Sequence, residues 1–252
     1  MSDTPKTVAM IGLDSSHTIE YTRRMQDPAY PAANRVSRIR TATCLRFPSP
    51  FQSEPDQDKR QATLEGWGVR VTRDFDEAVA GCDAIFMPIN DPAAHLPWFE
   101  RCAALGKPIF LDKPMADSIA SGRRIAALAA EHGVPLFSTS SLRYDIDFTE
   151  ALAATPRPET ALIWGPLGRP PAGSGVIWYG VHVFEMLRAA MGPGAIAVRV
   201  ARDPDGIVAT VVYADGRRGV AELTVGNYRY GGLLRNRREP SAAFNVTGRV
   251  SA

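Results

Sequence analysis

The chain has 252 residues, 45% of them apolar and 22% charged, with a formal net charge of +2. That balance is ordinary for a globular protein and too near neutral for a surface that binds nucleic acid or membrane through bulk charge. The length suits one large domain or two modest ones. Cys44, Cys82 and Cys102 lie far apart and match no metal or redox spacing. An odd number with no framework points to a reducing compartment, and apolar neighbours make Cys82 and Cys102 buried, inert thiols. The N-terminus has one lysine before a short apolar run and no small-residue cleavage site, so no signal peptide is expected. No apolar stretch is long enough to span a bilayer. The expectation is a cytoplasmic protein with a small-molecule substrate and neither nucleic acid nor membrane as partner.

In chain order, KTVAMIGL (6–13) is a short strand closing on Gly12, followed by a helix from about Ser16 to Gln26. SRIRTATCLR (37–46) reads as a second strand, and the polar, proline-rich RFPSPFQSEPDQDKRQ (46–61) as a surface excursion. GVRVT is a third strand, followed by Asp74 as a helix N-cap and Gly81 as a stop. DAIFMPI (83–89) is a continuous apolar run, as expected of a strand buried on both faces. Asp91 and Pro92 open a helix ending near Gly106, and KPIFLD is the next strand. Asp117 is then placed as the cap of a helix whose apolar face is Ile119, Ile125, Ala126, Leu128 and Ala129, with VPLFSTS (134–140) as the strand after it.

Strands alternating with helices predict a doubly wound parallel sheet of Rossmann type over 1–141. In such sheets ligands lie beyond the carboxyl ends of the strands, here marked by Gly12, Asp14, Arg46, Asn90, Asp112, Lys113 and Ser138 to Ser141. From 142 to 252 the pattern predicts a shortened α+β domain with an antiparallel sheet. A long Pro/Gly-rich loop (155–175) precedes a helix at GVHVFEMLRAAMG. Four strands follow, AIAVRVARD, GIVATVVYADG, RRGVAELTVG and AAFNVTGRV, with DPDG and ADGR as hairpin turns. Ile207, Val208, Val211 and Val212 put apolar residues on both faces of this sheet, which predicts a homodimer through it. The late arginines Arg229, Arg235, Arg237 and Arg238 read as a solvated loop or as a holder for a phosphate or an acidic partner.

The opening turn, VAMIGLDSSH, keeps only the first glycine of a dinucleotide fingerprint. Asp14 and His17 stand where the second and third belong. Asp14 would place a carboxylate near phosphate charge unless its side chain turns away to cap the helix, while Ser15 and Ser16 offer donors at the helix N-terminus. No acidic residue ends the second strand. Arg46 sits there instead, either to pair with the 2′-phosphate of NADP or as a surface arginine opening a loop.

FLDKPMADS (110–118), an acidic strand end followed by Lys-Pro and a helix opening, resembles the Glu-Lys-Pro motif of the Gfo/Idh/MocA oxidoreductases. CDAIFMPINDPAAH, FSTSSLRYD and WYGVHVFEML resemble that family's fourth strand, its crossover into the substrate domain and its Asp-x-Gly-x-His catalytic helix, in the same order. The resemblance implies a hydride transfer dependent on NAD or NADP, to or from a sugar-, cyclitol- or related alcohol or ketone. It implies Lys113 as the polarising group and His182 as the acid/base. It places Gly12, Asp14, Ser15, Ser16, His17, Arg46, Asn90, His95, Asp112 and Pro114 around the cofactor, and Arg143, Trp178, Tyr179 and Glu185 around the substrate. Glu185, one turn from His182, can orient it. A His182–Glu185 metal pair lacks a third ligand, so no metal is expected. His182 also reads as a core histidine, His95 and Asn90 as residues that simply begin a helix, and Trp178 and Tyr179 as core aromatics. Trp178 stands where the family has its aspartate, and the second domain is short. Two other readings stay open: a cofactor-free lyase or isomerase on this fold with a degenerate dinucleotide site, and a non-catalytic binding protein.

Overall fold

The computed structural model describes residues 4–238 and 240–248. The chain divides into two compact units, Met1–Ser138 with Pro171–Gly173, and Thr139–Pro170 with Ser174–Ala252.

In the first unit the elements run β1 (Lys6–Ile11), α1 (Ser16–Gln26), β2 (Ile39–Leu45), α2 (Glu54–Gly66), β3 (Arg70–Thr72), α3 (Phe75–Val79), β4 (Ala84–Met87), α4 (His95–Ala103), β5 (Ile109–Leu111), α5 (Ile119–Glu131) and β6 (Leu136–Phe137). The strands form a parallel sheet in the order β3-β2-β1-β4-β5-β6, the doubly wound Rossmann arrangement. Alternation along β1 divides its burial. Ala9 and Ile11 join the core under α3, α4 and α5, and Val8 and Met10 the core under α1 and α2.

Three expectations are corrected here. The proline-rich excursion contains α2, because Ser53 accepts from Asp56 N as N-cap and Pro55 sits in the first turn, where its missing N–H costs nothing. Ser118, not Asp117, caps α5, accepting from Ser121 N. On α5 the buried stripe is Ile125, Leu128 and Ala129, while Ile119 is 76% exposed and Ala126 is exposed, both having rotated off it. Asp74 caps α3, as expected, and Asp91 caps a 3-10 turn (Pro92–Ala94) that leads into α4.

The second unit begins with a 3-10 turn (Ser141–Tyr144) and continues with α6 (Ile146–Ala154), β7 (Thr160–Pro166), α7 (Gly175–Trp178) and α8 (Gly180–Met191). Strands β8 (Ala195–Asp203), β9 (Gly206–Tyr213), β10 (Arg218–Thr224), β11 (Gly231–Arg235) and β12 (Ala242–Asn245) follow. Its sheet runs β12-β11-β7-β10-β9-β8 and is antiparallel except for the β7–β10 pair.

Two strands were not anticipated. The stretch read as a long loop contains β7, which lies inside the sheet. Ala161 and Ile163 are fully buried on the helical face, and Leu162 and Trp164 point the other way. Its Pro and Gly residues only bracket the strand. β11, with two leading glycines, has too little side-chain pattern to be recognised. The last expected strand, AAFNVTGRV, is formed over Ala242–Asn245, and its Arg249 and Val250 lie outside the described residues. Helices α6 and α8 cover one face, burying Phe148, Met186 and Leu187 against Ala161, Ala209, Val211 and Leu223. The opposite face carries Leu162, Trp164, Val212, Val220 and Leu233, half-buried, and Val208, 38% exposed. Among the described residues no helix is long and apolar enough to cross a membrane.

Candidate active site

The turn after β1 is built around Gly12, whose φ of +110° only glycine adopts without strain. A Cβ there would also lie 3.0 Å from Ile89 Cγ1. Ser15 caps α1 by accepting from His17 N at 3.1 Å, and Ser16, exposed, opens the helix. The helix N-terminus therefore keeps its capacity for an anion. Asp14 turns away, but not to cap α1. It is 1% exposed and accepts from Ser49 Oγ at 2.6 Å and from Asn90 N at 3.0 Å. Burial pushes its carboxyl up from the usual range, against those two hydrogen bonds. The carboxylate ties the turn to the segment after β4 and is withdrawn from the place a phosphate would take.

His17, at the third glycine position, reaches the end of β5: Nδ1 is 2.5 Å from Asp112 Oδ2, and the side chain is 33% exposed. Tyr21, one turn further along α1, donates its hydroxyl to Asp112 Oδ1 at 3.1 Å. Burial alone would raise Asp112, but the hydrogen bond and charge of His17, with Lys113 nearby, hold it below its ordinary value. Lys113 follows on the same strand end, before a cis bond to Pro114. Its amine is pulled down by burial, with the Asp112 charge opposing, and among the described residues it has no hydrogen-bond partner. A cation held next to a fixed carboxylate with unused donors is suited to an oxygen on which charge develops.

Other expected cofactor neighbours play different parts. His95 is fully buried, its Nε2 3.0 Å from the Ile89 carbonyl and its Nδ1 3.3 Å from that of Met115, so its role in the structure is to tie two loops together. Arg46, 5% exposed, is held by Glu54 at 2.5 Å, Asp58 at 2.6 Å and Gln61 at 2.9 Å, all from α2. Arg73 shares Glu54 at 2.6 Å. The end of β2 thus carries carboxylates after all, brought there by the helix the sequence reading had missed. The three cysteines are buried and free, and burial raises the Cys102 thiol to about 12.

In the second unit His182 opens α8, 9% exposed, with Nδ1 2.6 Å from Ser140 Oγ. Ser140 is fully buried and also accepts from Leu142 N at 3.2 Å. Tyr230 meets the imidazole edge-on at 5.3 Å. Glu185, expected to orient His182, accepts instead from Arg143 at 3.2 Å and Thr139 at 3.3 Å. Trp178 and Tyr179 pack edge-on at 4.5 Å, both half-buried. Tyr21 and Tyr230 were not anticipated, and Ser140, marked as a strand-end residue, was not foreseen as the partner of His182. Ser140 lies 42 positions from His182, and no spacing rule reaches that far. Among the described residues no group of three or more His, Cys, Asp or Glu is arranged to hold a metal.

Residues 52–140 match the model of the oxidoreductase family with an NAD-binding Rossmann fold, Gfo/Idh/MocA. The match agrees with the resemblance read from the motifs over those residues, and the first unit has a Rossmann-type fold. Among solved structures, GenD2 from gentamicin A biosynthesis in complex with NAD has a TM-score of 0.77 at 19% identity, over 96% of this chain and 72% of its own. A putative myo-inositol dehydrogenase from Sinorhizobium meliloti 1021 scores 0.73 at 17% identity, over 95% and 75%. An aldose-aldose oxidoreductase from Caulobacter crescentus complexed with glycerol scores 0.72 at 16%, over 98% and 85%. These likenesses extend over both units and establish the fold. A comparison with curated proteins finds no match.

Proposed function

We propose that the protein transfers hydride between NAD and an alcohol or ketone of a sugar- or cyclitol-like substrate. The observation that carries this reading is the end of β5, where Lys113, without a hydrogen-bond partner among the described residues, stands beside an Asp112 fixed by His17 and Tyr21. The family match to an NAD-binding oxidoreductase supports it. The residues present fit a dinucleotide: Gly12 keeps the turn, Ser15 and Ser16 open α1, and Asp14 is committed elsewhere. Bound there, the nicotinamide would supply the hydride acceptor or donor.

In this reading Lys113 donates to the reacting oxygen and stabilises negative charge on it. The role of taking or returning the hydroxyl proton is given to His182 by the resemblance alone. Ser140 keeps a hydrogen bond to Nδ1 in either tautomer, because a hydroxyl both donates and accepts. NAD is favoured over NADP because Glu54 and Asp58 would face a 2′-phosphate while still holding Arg46. Reduction of NAD⁺ followed by absorbance over a panel of polyols and aldoses tests the proposal. Turnover lost in both Lys113→Ala and His182→Ala, each still folded, is the expected result. Turnover unchanged in both contradicts it.

A cofactor-free lyase or isomerase is the second reading, favoured by the close His17–Asp112 pair at a former glycine position. It requires activity without added nucleotide. We also propose a homodimer through the second sheet, supported by the apolar face at Leu162, Trp164, Val212 and Val220. Val208 of β9, 38% exposed, extends that face.

A further inference from the structure

A cavity of about 650 Å³ lies at the end of the second sheet where β7 and β10 begin and β11 ends. Four arginines line it, Arg217, Arg218, Arg235 and Arg237, against only two carboxylates, Asp215 and Glu159. Both carboxylates are already used. Arg217 bonds Asp215 at 2.7 Å and the Met191 carbonyl at 2.6 Å, and Arg237 lies 3.5 Å from Glu159. Among the described residues the guanidiniums of Arg218 and Arg235 have no ion-pair or hydrogen-bond partner, so two positive charges in the lining are uncompensated. The cluster is not the one the sequence suggested. Arg235 and Arg237 belong to it, but Arg217 and Arg218 come from the β9–β10 hairpin, and Arg229 and Arg238 do not line the cavity.

The sheet register aligns the two unpaired arginines. Thr160 of β7 stands opposite Arg218 of β10 on one side and opposite Arg235 of β11 on the other. Register partners share a face, so the Arg218 and Arg235 side chains leave the sheet on the same face as Thr160, one on each side of it, on strands about 4.8 Å apart. Backbone pairing sets this order.

We propose that the cavity binds a tetrahedral oxyanion, either inorganic phosphate or the phosphoryl group of a monoester, clamped by Arg218 and Arg235 with Thr160 as the hydroxyl donor between them. A planar guanidinium presents paired N–H groups that match phosphoryl oxygens, and two such forks approaching from either side suit a doubly charged tetrahedral anion. The near-neutral net charge of the chain argues against a polyanion such as nucleic acid, whose binding needs a broad basic surface. The site lies within the second unit and does not depend on the oxidoreductase reading.

Calorimetric titration of the full chain with inorganic phosphate, then with glucose 6-phosphate, at low ionic strength tests the proposal. One saturable site per chain is expected, weakened about tenfold by Arg218→Ala or Arg235→Ala and lost in the double variant. Thr160→Val leaves the charge unchanged and should weaken binding about threefold or more. Arg123→Ala, on exposed α5, should leave binding unaltered. Tighter binding of the monoester identifies an organic phosphate as the ligand, and equal binding identifies free phosphate. Thermal unfolding of each variant checks that it is folded. Three results would overturn the proposal. They are no saturable heat in the folded wild type, a loss in Arg123→Ala equal to that in Arg218→Ala, or phosphate binding that persists in the folded double variant.

Discussion

At the scale of single residues, Asp14 shows how a glycine position tolerates a carboxylate: the side chain is turned inward and its hydrogen bonds are found on Ser49 and Asn90. Asp14→Ala removes the acceptor that the half-buried Asn90 N–H uses and should cost on the order of 2 kcal/mol, read from denaturant unfolding. Because burial raises the folded Asp14 above its unfolded value, its contribution to stability is fully present below the unfolded value of 3.8 and is lost as pH rises through the folded one. Asp14→Asn should therefore hold its stability, relative to wild type, better as pH rises from 4 toward neutrality. A parallel pH profile for the two proteins would contradict the assignment. Ser140 is the second residue to test. Ser140→Ala should lower kcat about tenfold with little change in KM and shift the ¹⁵N resonances of the His182 ring. A rise in KM alone would assign Ser140 to packing. Lys113 and Asp112 were legible in the sequence because strand-end position and chain order marked them. Ser140 was marked in the same way, but its pairing with His182 and that of Tyr21 with Asp112 were not legible, since side-chain partnerships across 42 and 91 positions leave no local trace.

At the scale of elements, the instructive one is α2. Its first turns bring Glu54 and Asp58 to Arg46, and so convert an apparent phosphate-binding arginine into part of an ion-pair cluster. The joint variant Glu54→Gln and Asp58→Asn should move the NADP⁺ to NAD⁺ affinity ratio toward NADP⁺ by about tenfold. An unchanged ratio would place the ribose elsewhere. The helix carried a readable start signal, Ser53 with Pro55 in the first turn, outweighed by the low apolar content of 46–61. β7 failed to register for a related reason. Proline and glycine punctuate its flanks, while its stability comes from β10 and β11, strands that arrive more than fifty residues later. The N-terminal strands, with their regular alternation and caps, needed no such distant information.

At the scale of the whole molecule, the chain carries separate cores in two units, and the second has an apolar strand at its edge. Charging the open apolar face of that unit's sheet with Val208→Glu and Val220→Glu should yield a monomer by analytical ultracentrifugation, with secondary structure preserved, where the wild type is a dimer. A wild type that is monomeric at all concentrations contradicts the proposed assembly. The doubly wound half was legible because parallel strand–helix alternation is periodic. The second sheet was legible only in its hairpins, since its β7–β10 pairing is non-local.

The most direct test of the central claim is calorimetric titration of the purified chain with NAD⁺, NADH, NADP⁺ and NADPH. The account predicts micromolar binding of the NAD pair, weaker binding of the phosphorylated pair, and loss of both in Gly12→Val, where a branched side chain would meet Ile89. No heat with any of the four, from a protein shown to be folded, would contradict it and turn attention to cofactor-free chemistry at His17, Asp112 and Lys113.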